Sequence, residues 1–294
     1  MDQKLYSQIE ATADLPVLGH FVWWGLRDCS IKHSDLVDHF KSIGIPEYLL
    51  IDEPSDESAF MKACAKANNT IVDGKTFLVR LIFKDKDRIV VGGVAEDKDN
   101  ETLNYSQDFK IILNRLDGTA FVAQGQNKLA DEIIASYLNT RQKHDTYNMC
   151  RQVLDVVRSA KCLFVRDRGG IYFCLDQHKE LLLKLEQLVA ELNLGNLYVL
   201  PQIDLAKTRE AISKVFLANT VSDIETFQKE IKVWDDKNPH QKSLDNAGTE
   251  IDLLKEKIKA YSRVLKVDVS EFVPQISELE SGIKKISQRK IKVQ

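Results

Sequence analysis

Apolar positions in this 294-residue chain follow two different periods: short alternating runs up to about residue 126, then recurrences every three or four residues. In the first stretch the aromatic run Gly19 to Leu26 predicts a strand. Ser34 stands at an N-cap position before Leu36, Val37, Phe40 and Ile43, and Gly44 follows them, which predicts a short helix. Beyond the proline-punctuated connector from Ile45-Pro46 to Glu53-Pro54, a second helix starts at Ser55 with Phe60, Ala63, Cys64 and Ala67 on its apolar face. Thr76 to Phe83 places Phe77, Val79, Leu81 and Phe83 on one face of a strand. The turn Asp85-Lys86-Asp87 joins it to Ile89-Val90-Val91 as an antiparallel hairpin. Two more strands, about Leu103 to Leu113 and Ala120 to Val122, flank Asp117-Gly118.

From Asn127 the positions Leu129, Ile133, Tyr137, Val153, Val156 and Val157 predict one long linking helix to Ser159. Cys162 to Val165 and Ile171 to Leu175 flank Arg166-Asp167-Arg168-Gly169-Gly170, a hairpin whose glycines would supply positive φ. A leucine-rich helix (Leu181, Leu185, Leu188, Leu192) and a strand, Leu197 to Leu200 before Pro201, follow. Ser222 and Glu225 have capping-box spacing, so the helical run from Leu205 to Trp234 reads as two helices. The last segment carries a heptad seam: Ile251, Leu254, Ile258, Tyr261 and Leu265, then Phe272, Ile276, Leu279, Ile283 and Ile286. Val267-Asp268-Val269 and Pro274 interrupt it, which predicts two helices, with Ser270 near the start of the second. They form either an intramolecular hairpin or a coiled-coil seam for a second copy or a partner helix.

The expected fold class is α+β. A mostly antiparallel sheet domain with helices occupies residues 1–126, a linking helix and small β-β-α-β module 127–204, and a helical hairpin or coiled coil with a basic tail 205–294. Charge sharpens this division, because residues 1–126 hold 14 Lys/Arg against 20 Asp/Glu and residues 127–294 hold 27 against 24. The formal total of −3 by itself points to no partner. Five cysteines without a CxxC fit a reducing cytoplasm in which Cys serves as a small apolar residue. Without a secretory signal at Met1 to Ser7, or an apolar run near the ~20 residues that span a bilayer, the expected setting is the cytoplasm, with no membrane partner.

Candidate chemistry is sparse. Gly74-Lys75-Thr76 resembles the end of a phosphate-binding loop, but position 69 is Asn and a strand follows where a helix is required. Arg168 to Phe173 resembles a base-stacking strand, yet Gly170 and Ile171 stand where that strand needs an aromatic and a small residue. His33, Asp35, Asp38 and His39 do not converge at helical spacing, and Cys150, Cys162, Cys174 and His178 fit no zinc framework. No metal or other cofactor is therefore expected. The pairs Asp52-Glu53, Asp56-Glu57 and Asp235-Asp236 leave open a nuclease or other phosphate-processing enzyme. Trp23 and Trp24 must point to opposite faces of their strand, and one of them is a candidate partner contact together with Tyr261 and Leu279 of the seam. Arg166, Arg168 and the tail residues Lys284, Lys285, Arg289, Lys290 and Lys292 are candidate nucleic-acid contacts.

Several motifs keep a consistent order: Trp23-Trp24-Gly25-Leu26, Ile43-Gly44-Ile45-Pro46, Pro54-Ser55, Ala59-Phe60-Met61-Lys62-Ala63, Arg168 to Phe173 and Tyr198-Val199-Leu200-Pro201. In these the chain, up to about Trp234, resembles a family of uncharacterised proteins from bacteriophages, prophages and plasmids. The resemblance implies a mobile-element setting in a host cytoplasm and supplies no catalytic residues. The expected function is that of a non-enzymatic accessory protein that binds a host or defence protein or a nucleic acid, with self-association through the C-terminal helices as a further possibility.

Overall fold

The computed structural model describes residues 16–99, 102–125, 127–166, 170–236 and 239–291. The fold is α+β, with a curled antiparallel sheet early in the chain and long helices at its end. Among the described residues two compact units form, one from Arg27 to Gln152 and one from residues 16–26 together with Val153 onward. The first strand leaves its sequence neighbours and pairs with strands 150 to 186 residues later.

In the Arg27–Gln152 unit, β3 (Thr70–Val72), β4 (Lys75–Lys84), β5 (Arg88–Asp99), β6 (Thr102–Asn114) and β7 (Ala120–Gln124) form an antiparallel meander in that order. Helices α1 (His33–Ile43), α2 (Asp56–Ala67) and α3 (Lys128–Thr140) belong to the same unit. Phe77 and Val79 of β4, Ile89 and Val91 of β5, and Phe109 and Ile111 of β6 bury one sheet face against Phe60 and Ala63 of α2 and Leu129, Ile133 and Tyr137 of α3. The Ser55 hydroxyl accepts the Ser58 amide at 3.2 Å and the Asn127 side chain accepts the Leu129 amide at 2.7 Å, which fixes the starts of α2 and α3. The Tyr137 hydroxyl donates to the Gly118 carbonyl at 2.6 Å and lies 2.9 Å from the Asp56 carboxylate. Gly118 has φ 68°, and a Cβ there would lie 2.2 Å from that carboxylate, so this turn requires glycine.

Three expectations change here. The first helix starts at His33 after Lys32, with no side-chain cap, so Ser34 lies inside its first turn. A bulge between Leu81 and Phe83 pairs Phe83 with Val90, and both Leu81 and Phe83 are about half exposed while Phe77 and Val79 are buried. The single long linker helix is broken. After α3, Gln142 takes φ 60°, and β8 (Lys143–Asp145) pairs with β2 (Ser30–Lys32) before α4 (Thr146–Ser159) begins. The buried His144 of β8 is invisible to a period count, since three residues cannot establish a period.

The other unit is built on a four-stranded antiparallel sheet, ordered β11 (Gly195–Ile203), β1 (Val17–Leu26), β10 (Tyr172–Leu175) and β9 (Leu163–Phe164). With α5 (Lys179–Glu191) come the long helices α6 (Ala206–Asp236), α7 (Gln241–Leu265) and α8 (Phe272–Ile291). Helix α6 runs without a break, so the capping-box spacing at Ser222 starts no new helix, and the Ser222 carbonyl accepts the Thr226 hydroxyl within it. In α5 Leu185 and Leu188 are buried as the spacing predicts, while Leu182 and Val189 are buried in place of Leu181 and Leu192. The seam of α7 and α8 is internal to the chain. Tyr261, Leu279 and their heptad neighbours join Phe216 and Ile224 of α6 and Leu163, Phe173 and Leu175 of the sheet in one core. The buried Tyr261 hydroxyl donates to the Phe173 carbonyl at 2.9 Å. Pro274 lies in the first turn of α8, where its missing N–H costs nothing.

Edge strand β9 is shielded by Asn219 of α6, which accepts the Phe164 amide at 2.8 Å and donates to its carbonyl at 2.9 Å. Asn219→Ala is expected to lower stability by about 1–2 kcal/mol in urea denaturation; an unchanged midpoint would show that this edge needs no shield. Cys162 and Cys174 form a disulfide, which corrects their reading as separate small apolar residues. The register explains it: Phe173 faces Leu163 and Tyr172 faces Phe164, so the next positions outward are Cys174 and Cys162. The turn residues 167–169 lie outside the described residues, and Gly170 does not take positive φ.

Candidate functional site

The β1 backbone separates Trp23 from Trp24, and each ring is held by a stack. Trp23 faces Tyr198 in the β1–β11 register, with ring centroids 5.1 Å apart and planes at 23°. Phe21 faces Leu200 two positions along, so Phe21, Trp23, Tyr198 and Leu200 share one face of the sheet. Tyr198 is 44% exposed and Leu200 49%, while Trp23 is half-buried. On the opposite face Trp24 stacks on Tyr172 at 5.2 Å and 9°, and Tyr172 meets the exposed Phe164 at 5.0 Å. Burial pushes the Tyr172 phenol pKa up, with Arg158 opposing it. Each aromatic pair contributes about 0.5–1.5 kcal/mol beyond its buried area, so the rings are presented in fixed orientations.

Of the residues singled out from sequence, only the tryptophans lie beside exposed aromatic surface on this sheet. Tyr261 and Leu279 are core residues, 0% and 2% exposed. Arg166 is exposed beside the hairpin turn, and Lys284, Lys285 and Arg289 are exposed on the last turns of α8. Arg168, Lys292 and the side chain of Lys290 lie outside the described residues. Tyr198, Leu200, Tyr172 and Phe164 were not among the candidate contact residues read from sequence. The alternation of Leu197 to Leu200 signals the shared face of Tyr198 and Leu200, but their pairing with Trp23 depends on a register between strands far apart in sequence.

Two histidine pairs also escape sequence reasoning. His20, 3% exposed, has Nε2 2.9 Å from the Asp176 carboxylate, while its Nδ1 is buried without a partner among the described residues. His144, fully buried, has Nε2 3.0 Å from His33 Nδ1. Burial, then the neighbouring His33, lowers the pKa of His144 to about 4, so its imidazole is neutral near pH 7. Of the acidic pairs, Asp56-Glu57 serves in ion pairs, Glu57 meeting Lys84 and Arg115 and Asp56 meeting Arg141, while the side chains of Asp235-Asp236 lie outside the described residues. Among the described residues no group of three or more His, Cys, Asp or Glu side chains is placed to hold a metal ion, and no helix is long and apolar enough to cross a membrane.

A family model described as a family of unknown function, DUF6744, matches residues 17–292. The chain belongs to the DUF6744 family. No curated protein matches this DUF6744 chain. The matched span runs from the first residue of β1 to just past the end of α8, so it takes in the aromatic sheet, the meander and all three long helices.

Proposed function

We propose that this DUF6744 chain is a non-enzymatic accessory protein that binds a protein partner through the Trp23, Tyr198 and Leu200 face of its four-stranded sheet. The observation that carries this reading is the half-exposure of Tyr198 and Leu200 side by side on β11, with Trp23 stacked beneath. Tryptophan and tyrosine are enriched among interface hot spots, and both stand on this face. No charged side chain belongs to the Phe21, Trp23, Tyr198 and Leu200 set, which favours an apolar protein surface over phosphates. The mobile-element setting implied by the motif order belongs to the same proposal. A nucleic-acid partner is the second reading, favoured by exposed Lys284, Lys285 and Arg289 near the end of α8.

The test is affinity capture from the native host with the unaltered chain and with a Tyr198→Ala/Leu200→Asp variant of unchanged melting temperature. The expected result is a defined protein recovered with the first and reduced at least about tenfold with the second, the equivalent of about 1.4 kcal/mol. Equal recovery with both overturns the proposal. Nucleic acid recovered in its place, and released by Lys284→Glu/Lys285→Glu, transfers support to the second reading.

A further inference from the structure

Within the Arg27–Gln152 unit a cleft of about 200 Å³ lies between α2 and α3, with β2 and β8 supplying its third wall. Its floor is made by small residues, Ala59 and Ala63, and its rim carries Lys62 and Lys66, one turn apart on α2, and Lys143 of β8. Asp145 is the one carboxylate among the lining residues, and it is engaged by Lys62, whose Nζ donates to it at 2.8 Å. Burial acts to raise the Asp145 pKa, but the Lys62 hydrogen bond and the Asn148 amide outweigh it and hold the carboxyl below its usual range. Among the described residues the other two ammonium groups have no ion-pair partner. Lys143 Nζ donates to the neutral Asn139 side-chain Oδ1 at 2.9 Å, and Lys66 has no hydrogen-bond or ion-pair partner among the described residues.

The strand register adds a second observation. Lys32 of β2 stands directly opposite Lys143 of β8, as Ser30 stands opposite Asp145. Like charges at facing positions repel and destabilise a strand pair unless a counter-charge lies beside them. The arrangement therefore favours an anion on this face. Ser58 and Ser136 also line the cleft and make no hydrogen bond through their hydroxyls among the described residues.

We propose that this cleft is a binding site for a small phosphate monoester, a property independent of the aromatic face. The donor set suits a phosphoryl group: no arginine lines the cleft, and lysine ammonium groups acting as point charges, with separate hydroxyl donors, match its several oxygens. Size also decides, because about 200 Å³ is smaller than ordinary clefts for drug-sized ligands and accepts a phosphoryl group with few further atoms. The organic part has a place: a second cavity of about 280 Å³ shares Ala63, Lys66 and Ser136 with the first and is further lined by Leu129, Ile133 and Glu132.

The test is calorimetric titration of the full chain with phenyl phosphate, inorganic phosphate and acetate at constant ionic strength. The expected result is saturable one-to-one binding, tighter for phenyl phosphate than for inorganic phosphate and absent for acetate. Lys66→Gln and Lys143→Gln should each weaken it about tenfold with unchanged circular dichroism. Lys242→Gln, which removes the same charge from exposed α7 surface in the other unit, should leave it unchanged. Absence of saturation, equal binding of acetate, an unaffected Lys66→Gln or Lys143→Gln variant, or equal weakening by Lys242→Gln overturns the proposal.

Discussion

Leu279→Asp is expected to destabilise the unit containing the long helices by about 4 kcal/mol or more. Leu279 is 2% exposed and belongs to the core that joins α6, α7 and α8 to the four-stranded sheet. Removing a buried leucine costs about 2–5 kcal/mol, and the introduced carboxyl adds its own desolvation whether it stays charged or takes up a proton. Against a total stability usually of about 5–15 kcal/mol, this is enough to unfold much of the protein at 37 °C. Leu253→Asp, on the half-exposed side of α7, is the matched control and should stay within about 0.5 kcal/mol of the parent. Urea denaturation read by circular dichroism, with mass by light scattering, separates the two geometries of the seam. A stable Leu279→Asp chain whose mass has merely halved would mean that the seam pairs between copies and not within one.

The second large effect is a loss of stability in mild acid. His144 is fully buried and its pKa is lowered to about 4, by burial first and then by His33, with Asp145 raising it and Lys62 lowering it. Below the ordinary histidine value of 6.5 the unfolded chain takes up a proton that the folded one refuses until about pH 4. Stability is therefore complete above pH 6.5 and is lost progressively as the pH falls towards 4. The difference corresponds to about 3 kcal/mol at the acid end of the window. Urea midpoints at pH 7.5 and 4.5 should differ in the parent and much less in His144→Leu. Asp145, held below its usual range despite burial by the Lys62 hydrogen bond, stays ionised across that interval and so stays out of the comparison. Equal acid losses in both proteins would remove His144 as the cause.

Much of the element pattern was legible because local chemistry and tertiary packing agree. Ser55 and Asn127 cap the helices they precede, Asp85 turns β4 into β5, and the three-and-four spacing from Ile251 to Ile286 marks the residues that α7 and α8 bury. Where they disagree, sequence reading failed for identifiable reasons. The apparent continuity from Asn127 to Ser159 hid β8, since the flanking helices share one period and three intervening residues cannot break it. The capping-box spacing at Ser222 does not start a new helix, because Phe216 and Ile224 on either side enter one core and hold α6 straight through. Neither the Trp23–Tyr198 stack nor the Lys32–Lys143 pair was legible, since each rests on the register of strands more than 100 residues apart.

The sequence by itself determined an α+β chain with strands early and long helices late, the helix faces that seek burial, and the opposed directions of Trp23 and Trp24. These depend on periods and caps that operate within a few residues. Only the tertiary structure decided that β1 belongs with β10 and β11, that Cys162 meets Cys174, that the heptad seam closes within one chain, and that Lys62, Lys66 and Lys143 surround one cleft. Strand partners and helix seams are chosen by where apolar area is buried across the whole chain, a long-range outcome that local pattern leaves undetermined.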